Sequence, residues 1–426
     1  MLELRPFSRR LLLAAVAVLC VAVPAHADGD DRDAPRWVGT WSASMEAPFG
    51  PTPTFDHVTL RQIVHVSIGG NLVRVRFAND IGTVPLVISS ASIGVRASGA
   101  TVKTGTLRKL HFSGADSISV PPGAVAFSDP VWLDVDTHDD LAISSYTASL
   151  QAGTTQLALA HQTSYVSSTG DFTGSASMPV ASTITSWIWL SGVEVVGGGH
   201  TRAVVTFGDS ITEGLASTTD ANARWPDVLS RRLAAGRGTR GVAVLNEAIS
   251  GNRILNDFIG PNALRRIDRD VLTQGGVRYV TLLLGTNDMG FSQLPPGAFP
   301  GVLLTNVSAA EMIAGYEQII LRVHHAGAKI YGATVLPFEG AGYYDANVEP
   351  KRAALNQFIR TGGKFDGVID FDAVMRDPSH PTRMRPESTA AITCTPTTRA
   401  MRRWATRSPS TSSPRKTTER EARGPH

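Results

Sequence analysis

Two spacings of apolar residues divide this chain of 426 residues. From about Trp37 to Val196, short apolar runs alternate with polar positions and stop at Gly, Pro, Ser or Asp. The stretch 59–68 alternates in part, Gly69-Gly70-Asn71 reads as a turn, and Leu72-Val73-Arg74-Val75-Arg76-Phe77 alternates cleanly. That pattern predicts a hairpin. Strand-like runs follow at 86–89, 91–95, 131–135, 141–144 and 184–190. Many short strands with few helical stretches predict an all-β, sandwich-like domain over 37–196. Gly197-Gly198-Gly199-His200 marks a linker, 197–201, between this domain and a second one.

From Arg202 the spacing changes. Helical periods at 225–235, 262–272, 309–326 and 349–360 alternate with continuous apolar runs at 203–206, 242–245, 277–284, 329–335 and 368–371. Pro226 suits a first helical turn. Strands buried on both faces and separated by helices predict an α/β domain over 202–387 with a parallel sheet.

The first residues carry a different signal. Arg5, Arg9 and Arg10 precede an apolar run from Leu11 to about Pro24, and Ala25-His26-Ala27 has the small-x-small form of a cleavage site. Residues 1–27 therefore read as a secretory signal and 28–36 as a flexible mature start. The stretch Ser8-Arg9-Arg10-Leu11-Leu12-Leu13 also resembles a twin-arginine signal, so the export route stays open. The run is short for a membrane span, and no later stretch is long enough, so no stable membrane anchor is expected. Cleavage leaves Cys394 as the one cysteine, which points to a fold held by its core without disulfides. The net charge of +3 is small, and no basic stripe is interleaved with aromatics, which argues against nucleic acid as a partner.

Candidate chemistry gathers where apolar runs end. Ala203-Val204-Val205-Thr206 leads into Phe207-Gly208-Asp209-Ser210-Ile211-Thr212-Glu213-Gly214, which sets a serine on a tight turn at the sheet's C-terminal edge. The next run leads into Asn246-Glu247-Ala248-Ile249-Ser250-Gly251-Asn252-Arg253, and the third into Gly285-Thr286-Asn287-Asp288. Each has an ordinary reading as well: a strand-to-helix turn, a left-handed glycine and an asparagine turn former. Taken in order, the three blocks resemble the SGNH/GDSL hydrolase superfamily. The start Trp37-Val38-Gly39-Thr40-Trp41-Ser42-Ala43-Ser44 resembles exported two-domain bacterial esterases related to carbohydrate esterases.

The resemblance implies a flavodoxin-like, three-layer parallel sheet and a serine esterase that needs no cofactor. It makes Ser210 the nucleophile. The N–H groups of Ser210 and Gly251 and the side-chain amide of Asn287 become the donors to a tetrahedral oxyanion. Asp209 and Asp288 are expected in structural hydrogen bonds. No histidine has metal-ligand spacing, so no metal is inferred. The implied substrate is an ester, with an acetylated polysaccharide the leading class. A lipase or lysophospholipase is the enzymatic alternative, and a carbohydrate-binding pseudoenzyme the non-catalytic one.

The pseudoenzyme arises because the family's late Asp-x-x-His, followed by Pro-Asn and a helix, is missing. Beyond Pro386-Glu387 the chain has neither helix nor strand period and runs into Ser/Thr/Pro/Arg-rich sequence. Residues 388–426 thus read as an aberrant, disordered tail. If each codon's third base is read with the first two of the next, Ser388 onward can encode Asp-His-Leu-His-Pro-Asn and then a helix-like run. This points to a one-base deletion near codon 388. Asp377-Pro378-Ser379-His380-Pro381 is the competing pair in the written chain, although no suitable final helix follows it. His324 and His325 sit late in a predicted helix, where a solvated role or one at the helix C-terminus is expected.

Overall fold

In a computed structural model of the chain, the described residues are 36–48, 50–295, 297–299 and 304–386, with the backbone of 389–390 and 393–396. The expected signal segment 1–27 and most of the expected tail 388–426 lie outside them. Thr389–Ala390 and Thr393–Pro396 pair antiparallel in a short ladder.

The N-terminal half is built mainly on two larger antiparallel sheets. Their main strands are β1 (Arg36–Ser42), β2 (Val58–His65), β3 (Gly70–Ala78), β4 (Ser90–Ser98), β5 (Asp140–Thr147), β6 (Ser164–Thr169) and β7 (Leu190–Gly197). One sheet runs β1-β7-β3 and on to Val125–Phe127. The other runs from Val180–Ile184 through β6, β2, β5 and β4 to Thr101–Val102.

The hairpin predicted around Gly69-Gly70-Asn71 does not form, because β2 and β3 belong to different sheets. Leu60 and Val64 of β2 and Val73, Val75 and Phe77 of β3 are fully buried in one apolar core. The two strands meet through their side chains instead of their backbones. The link between them is tied to β1, where the Ser67 N–H and hydroxyl both donate to the Thr40 carbonyl. The run 184–190 is also broken, into Val180–Ile184, Trp187–Ile188 and β7. The break falls at Trp189, whose φ of 58° is rare for a bulky residue. Full burial and an edge-on contact with Phe55 hold it there.

The C-terminal half alternates. In order come β8 (Arg202–Gly208), α1 (Ser210–Glu213), α2 (Trp225–Ala235), β9 (Val242–Ala248), α3 (Ala263–Ile267), β10 (Val277–Leu283), α4 (Thr286–Phe291) and α5 (Ala309–His325). Then come β11 (Lys329–Ala333), α6 (Glu349–Thr361), β12 (Gly367–Ile369) and α7 (Phe371–Met375). The strands form a five-stranded sheet, β9-β8-β10-β11-β12, and every pairing in it is parallel. The strand order reverses beside β8, the kind of place where open α/β sheets leave a crevice at their C-terminal edge. The helix expected over 262–272 is α3 followed by a π-helical turn, Asp268–Leu272.

The two halves share one apolar core, from Val38 and Trp41 to Phe207 and Leu245. Just past β1, Ala43 bridges Asn246 of β9 in parallel, so the N-terminal strand runs along the edge of the parallel sheet. The Gly39 N–H donates to the Gly275 carbonyl at 3.0 Å, and the Val244 N–H donates to the Ser67 hydroxyl at 3.0 Å. The Asp220 carboxylate accepts from Gln162 and from both the backbone and the hydroxyl of Thr163, each at 2.6 Å. Among the described residues, no helix is long and apolar enough to cross a membrane.

Candidate active site

Strand β8 carries buried apolar side chains up to Gly208, and the chain then turns sharply into α1. The Asp209 carboxylate starts the helix by accepting the Ile211 N–H at 3.0 Å. Gly214 ends it, with φ 103° and its N–H on the Ser210 carbonyl at 3.0 Å. Ser210 is half-buried at the first position of the turn, between the buried Asp209 and Ile211. Among the described residues, its hydroxyl has no hydrogen-bond partner.

Beyond β9 the chain turns at Gly251, with φ 71°. A β-carbon there would lie 2.4 Å from the Ile259 side chain, so both backbone conformation and space favour glycine. Asn287, buried in the first turn of α4, donates one amide hydrogen to the Asn252 carbonyl at 3.0 Å. A side-chain amide has two hydrogens, so one remains for another acceptor. Ser210, Gly251 and Asn287 thus follow the C-terminal ends of β8, β9 and β10, with β8 central among the three.

Two nearby carboxylates hold backbone. Asp288 accepts the N–H groups of Ile254 and Leu255, at 2.9 Å and 3.3 Å. Burial, with the charge of Asp288 adding to it, pushes Asp209 up to about 7. Burial likewise pushes Asp288 up to about 6.

Three buried groups here were not singled out by sequence spacing. Glu213, at the end of α1, accepts the Ser250 hydroxyl hydrogen. Burial and then the neighbouring Glu46 push its pKa well above the carboxylate range. Glu46 comes from the N-terminal half, and burial raises it to about 7. Arg266 is fully buried between the Ser210 turn and the loop after β9. A pocket between the halves is lined by Trp41, Trp187, Glu213, Arg224 and Asn246, among others, but not by Ser210, Gly251 or Asn287. Phe258, Phe291, Phe299 and Tyr343 form an aromatic cluster on the loops and helix after β9, β10 and β11, with ring centroids 4.7–6.4 Å apart.

Asp377 and His380 do not pair. The Asp377 carboxylate accepts the Ser379 N–H at 2.8 Å, and His380 is exposed near Glu339. His324 lies 2.8 Å from Asp366 near the end of α5. Among the described residues, no group of three or more His, Cys, Asp or Glu side chains could hold a metal ion.

Residues 206–394 match the model of the GDSL-like lipase/acylhydrolase family. No curated protein matches the chain. Solved structures similar to it include a GDSL-like lipase from Bacteroides thetaiotaomicron VPI-5482, 17% identical, covering 48% of this chain and 83% of that one with a TM-score of 0.34. Another is Est24, a carbohydrate acetylesterase from Sinorhizobium meliloti, 16% identical, covering 48% and 95% with a TM-score of 0.35. A third is LAE5, an alpha/beta hydrolase enzyme from the metagenome of Lake Arreo, Spain, 18% identical, covering 48% and 91% with a TM-score of 0.35.

Proposed function

Because residues 206–394 belong to the GDSL-like lipase/acylhydrolase family, and so form an ester-hydrolase domain, we propose that the chain descends from a secreted serine esterase. That esterase cleaves carboxylic esters through an acyl-enzyme, with an acetylated carbohydrate or a small ester as substrate. The observation that carries this reading is the placement of Ser210, Gly251 and Asn287 after the ends of three neighbouring parallel strands.

Ser210 attacks the ester carbonyl. The N–H groups of Ser210 and Gly251 and the remaining amide hydrogen of Asn287 receive the oxyanion, at about 3 kcal/mol for each well-aimed donor. The full triad also needs a histidine to take the serine proton and an aspartate to orient it. In this reading both are encoded in the other frame after codon 388, outside the described residues. A cleaved signal over 1–27, a sandwich-like N-terminal domain and a flavodoxin-like catalytic domain complete the proposal. Either export route accommodates it.

Two observations support other readings. The Asp377 carboxylate holds the Ser379 N–H and His380 is exposed near Glu339, so the competing Asp-x-x-His is not assembled, which supports a catalytically impaired, carbohydrate-binding product for the chain as written. The aromatic cluster around Phe258 and Phe299 favours longer acyl chains, and with them a lipase.

The deciding experiment is hydrolysis of p-nitrophenyl esters from acetate to decanoate by the written chain, by a chain with the restored frame, and by Ser210→Ala in each. The reading requires fast, Ser210-dependent turnover in the restored chain, strongest on acetate, and little in the written one. Serine-independent turnover in the restored chain would sink it. A maximum on decanoate would move the assignment to a lipase.

A further inference from the structure

Arg266 sits on α3, outside all three blocks, and is fully buried. Its guanidinium reaches the first two directly and the third through Asn252. Nη2 donates to the Gly208 carbonyl at 3.0 Å, two residues before Ser210. Nε donates to the Asn252 side-chain oxygen at 3.0 Å, one residue after Gly251. The backbone carbonyl of that same Asn252 receives the Asn287 amide. Nη1 meets the Glu247 carbonyl at 2.8 Å, the Ser44 hydroxyl at 3.0 Å and Asp270 at 3.0 Å. The planar group stacks 4.1 Å over the Phe207 ring.

The balancing charge is shared between the halves. Burial tends to push Asp270 up, but Arg269 and Arg266 hold it below the usual carboxylate range. Ser44 donates its hydroxyl to Glu247 at 2.6 Å while accepting from Arg266. Arg269 reaches back to the Met45 carbonyl at 3.1 Å. The stretch just after β1 is therefore part of the frame under the site.

We propose that Arg266 is a positioning residue for the ester cleavage inferred above. Its fork sets the spacing between the nucleophile turn and the oxyanion loop, and Ser44 of the N-terminal half completes its seat. The inference rests on that functional reading for its catalytic consequence, but its structural content stands apart from it. A guanidinium carries five N–H donors in a rigid plane, whereas a lysine carries one ammonium on a flexible stem. Lysine keeps the charge and cannot reproduce the fork.

The test is Arg266→Lys in the full chain, in both written and restored frames, with Ser44→Ala as a milder variant. Amide hydrogen exchange is followed across 206–214 and 247–254, and p-nitrophenyl acetate kinetics are followed in parallel. Arg266→Lys is expected to speed exchange in both segments at least tenfold while β11 and β12 stay unchanged. In the restored frame, kcat is expected to fall at least tenfold with KM within twofold. Ser44→Ala is expected to produce the same two changes at roughly threefold, and it decides the matter if the lysine variant does not fold. Exchange and kcat at parental levels in a folded variant overturn the proposal. If hydrolysis turns out independent of Ser210, the esterase reading fails, and the exchange data still decide whether Arg266 fixes the two segments.

Discussion

Glu213 accepts a hydrogen bond from Ser250, 37 residues further along the chain. The bond ties the helix that begins at Ser210 to the loop that turns at Gly251. Both side chains are buried, so the contact is sheltered from solvent. Replacing Ser250 with alanine strands the Glu213 carboxyl without that donor. The expected loss is about 1–3 kcal/mol of stability, the usual cost of an unpaired buried polar group. Urea unfolding of Ser250→Ala checks it, and an unchanged midpoint would show that the bond contributes nothing.

Buried acids make stability pH-dependent in a definite direction. Burial raises Glu46 and Glu247 from 4.5 to about 7, and Asp209 from 3.8 to about 7. Each keeps its proton in the fold at a pH where the unfolded chain has released it. Their contribution is fully present below about pH 4 and is lost as pH rises through about 7. Asp270, Asp257 and Asp140 are shifted down and act in the opposite sense, at more acidic pH. Burial holds His161 and His138 down, and they act against the raised acids up to about pH 6.5, so the fall in Tm is expected mainly between about pH 6.5 and 7.5. Glu46 faces Glu213, Arg266 and the Ala158 N–H, and Glu46→Gln removes one titration from the set. The variant is expected to show a shallower decline and, at pH 8, a higher Tm than the parent. Parallel curves would contradict this.

Gly251 combines a left-handed backbone with a close neighbour in Ile259. Gly251→Ala forces the side chain into both. The expected cost is about 1–3 kcal/mol, in the range for a strained non-glycine residue. The restored-frame enzyme is expected to lose kcat along with it. Calorimetry and p-nitrophenyl acetate kinetics measure the two effects.

The written C-terminus predicts its own repair. Resequencing genomic DNA across codons 380–400 is expected to reveal one additional base near codon 388. A chain with that base is expected to hydrolyse esters roughly 1,000-fold faster than the written one, since an oxyanion hole without its base retains only part of the catalysis. A confirmed deletion would leave the impaired product as the native one.

The α/β half was legible because strands buried on both faces leave continuous apolar runs, and helices such as 225–235 leave a clear period. The ends of those runs also marked where Ser210, Gly251 and Asn287 would fall. Alternation in β2 and β3 identified strands but not partners, because inward-facing residues look the same in a hairpin and across two sheets. The break at Trp189 had no sequence signal, since neither glycine nor proline stands there. Arg266 was hidden for a related reason. An arginine in a helix ordinarily reads as solvent-facing, and one of its acceptors, Ser44, lies 222 residues away.

The strand that leads from β1 to Ala43 serves two masters: an antiparallel neighbour in β7 and the parallel sheet's edge at β9. Translation delivers it some 200 residues before Glu247, the partner its Ser44 needs. Until then it can complete only half its pairing. A fragment begun at Arg202 would be born with β9 bare, an open edge inviting other chains to pair with it. In the language of modular inheritance, the N-terminal half is no detachable cassette: exchanging it for another module would remove a wall of the house it stands beside.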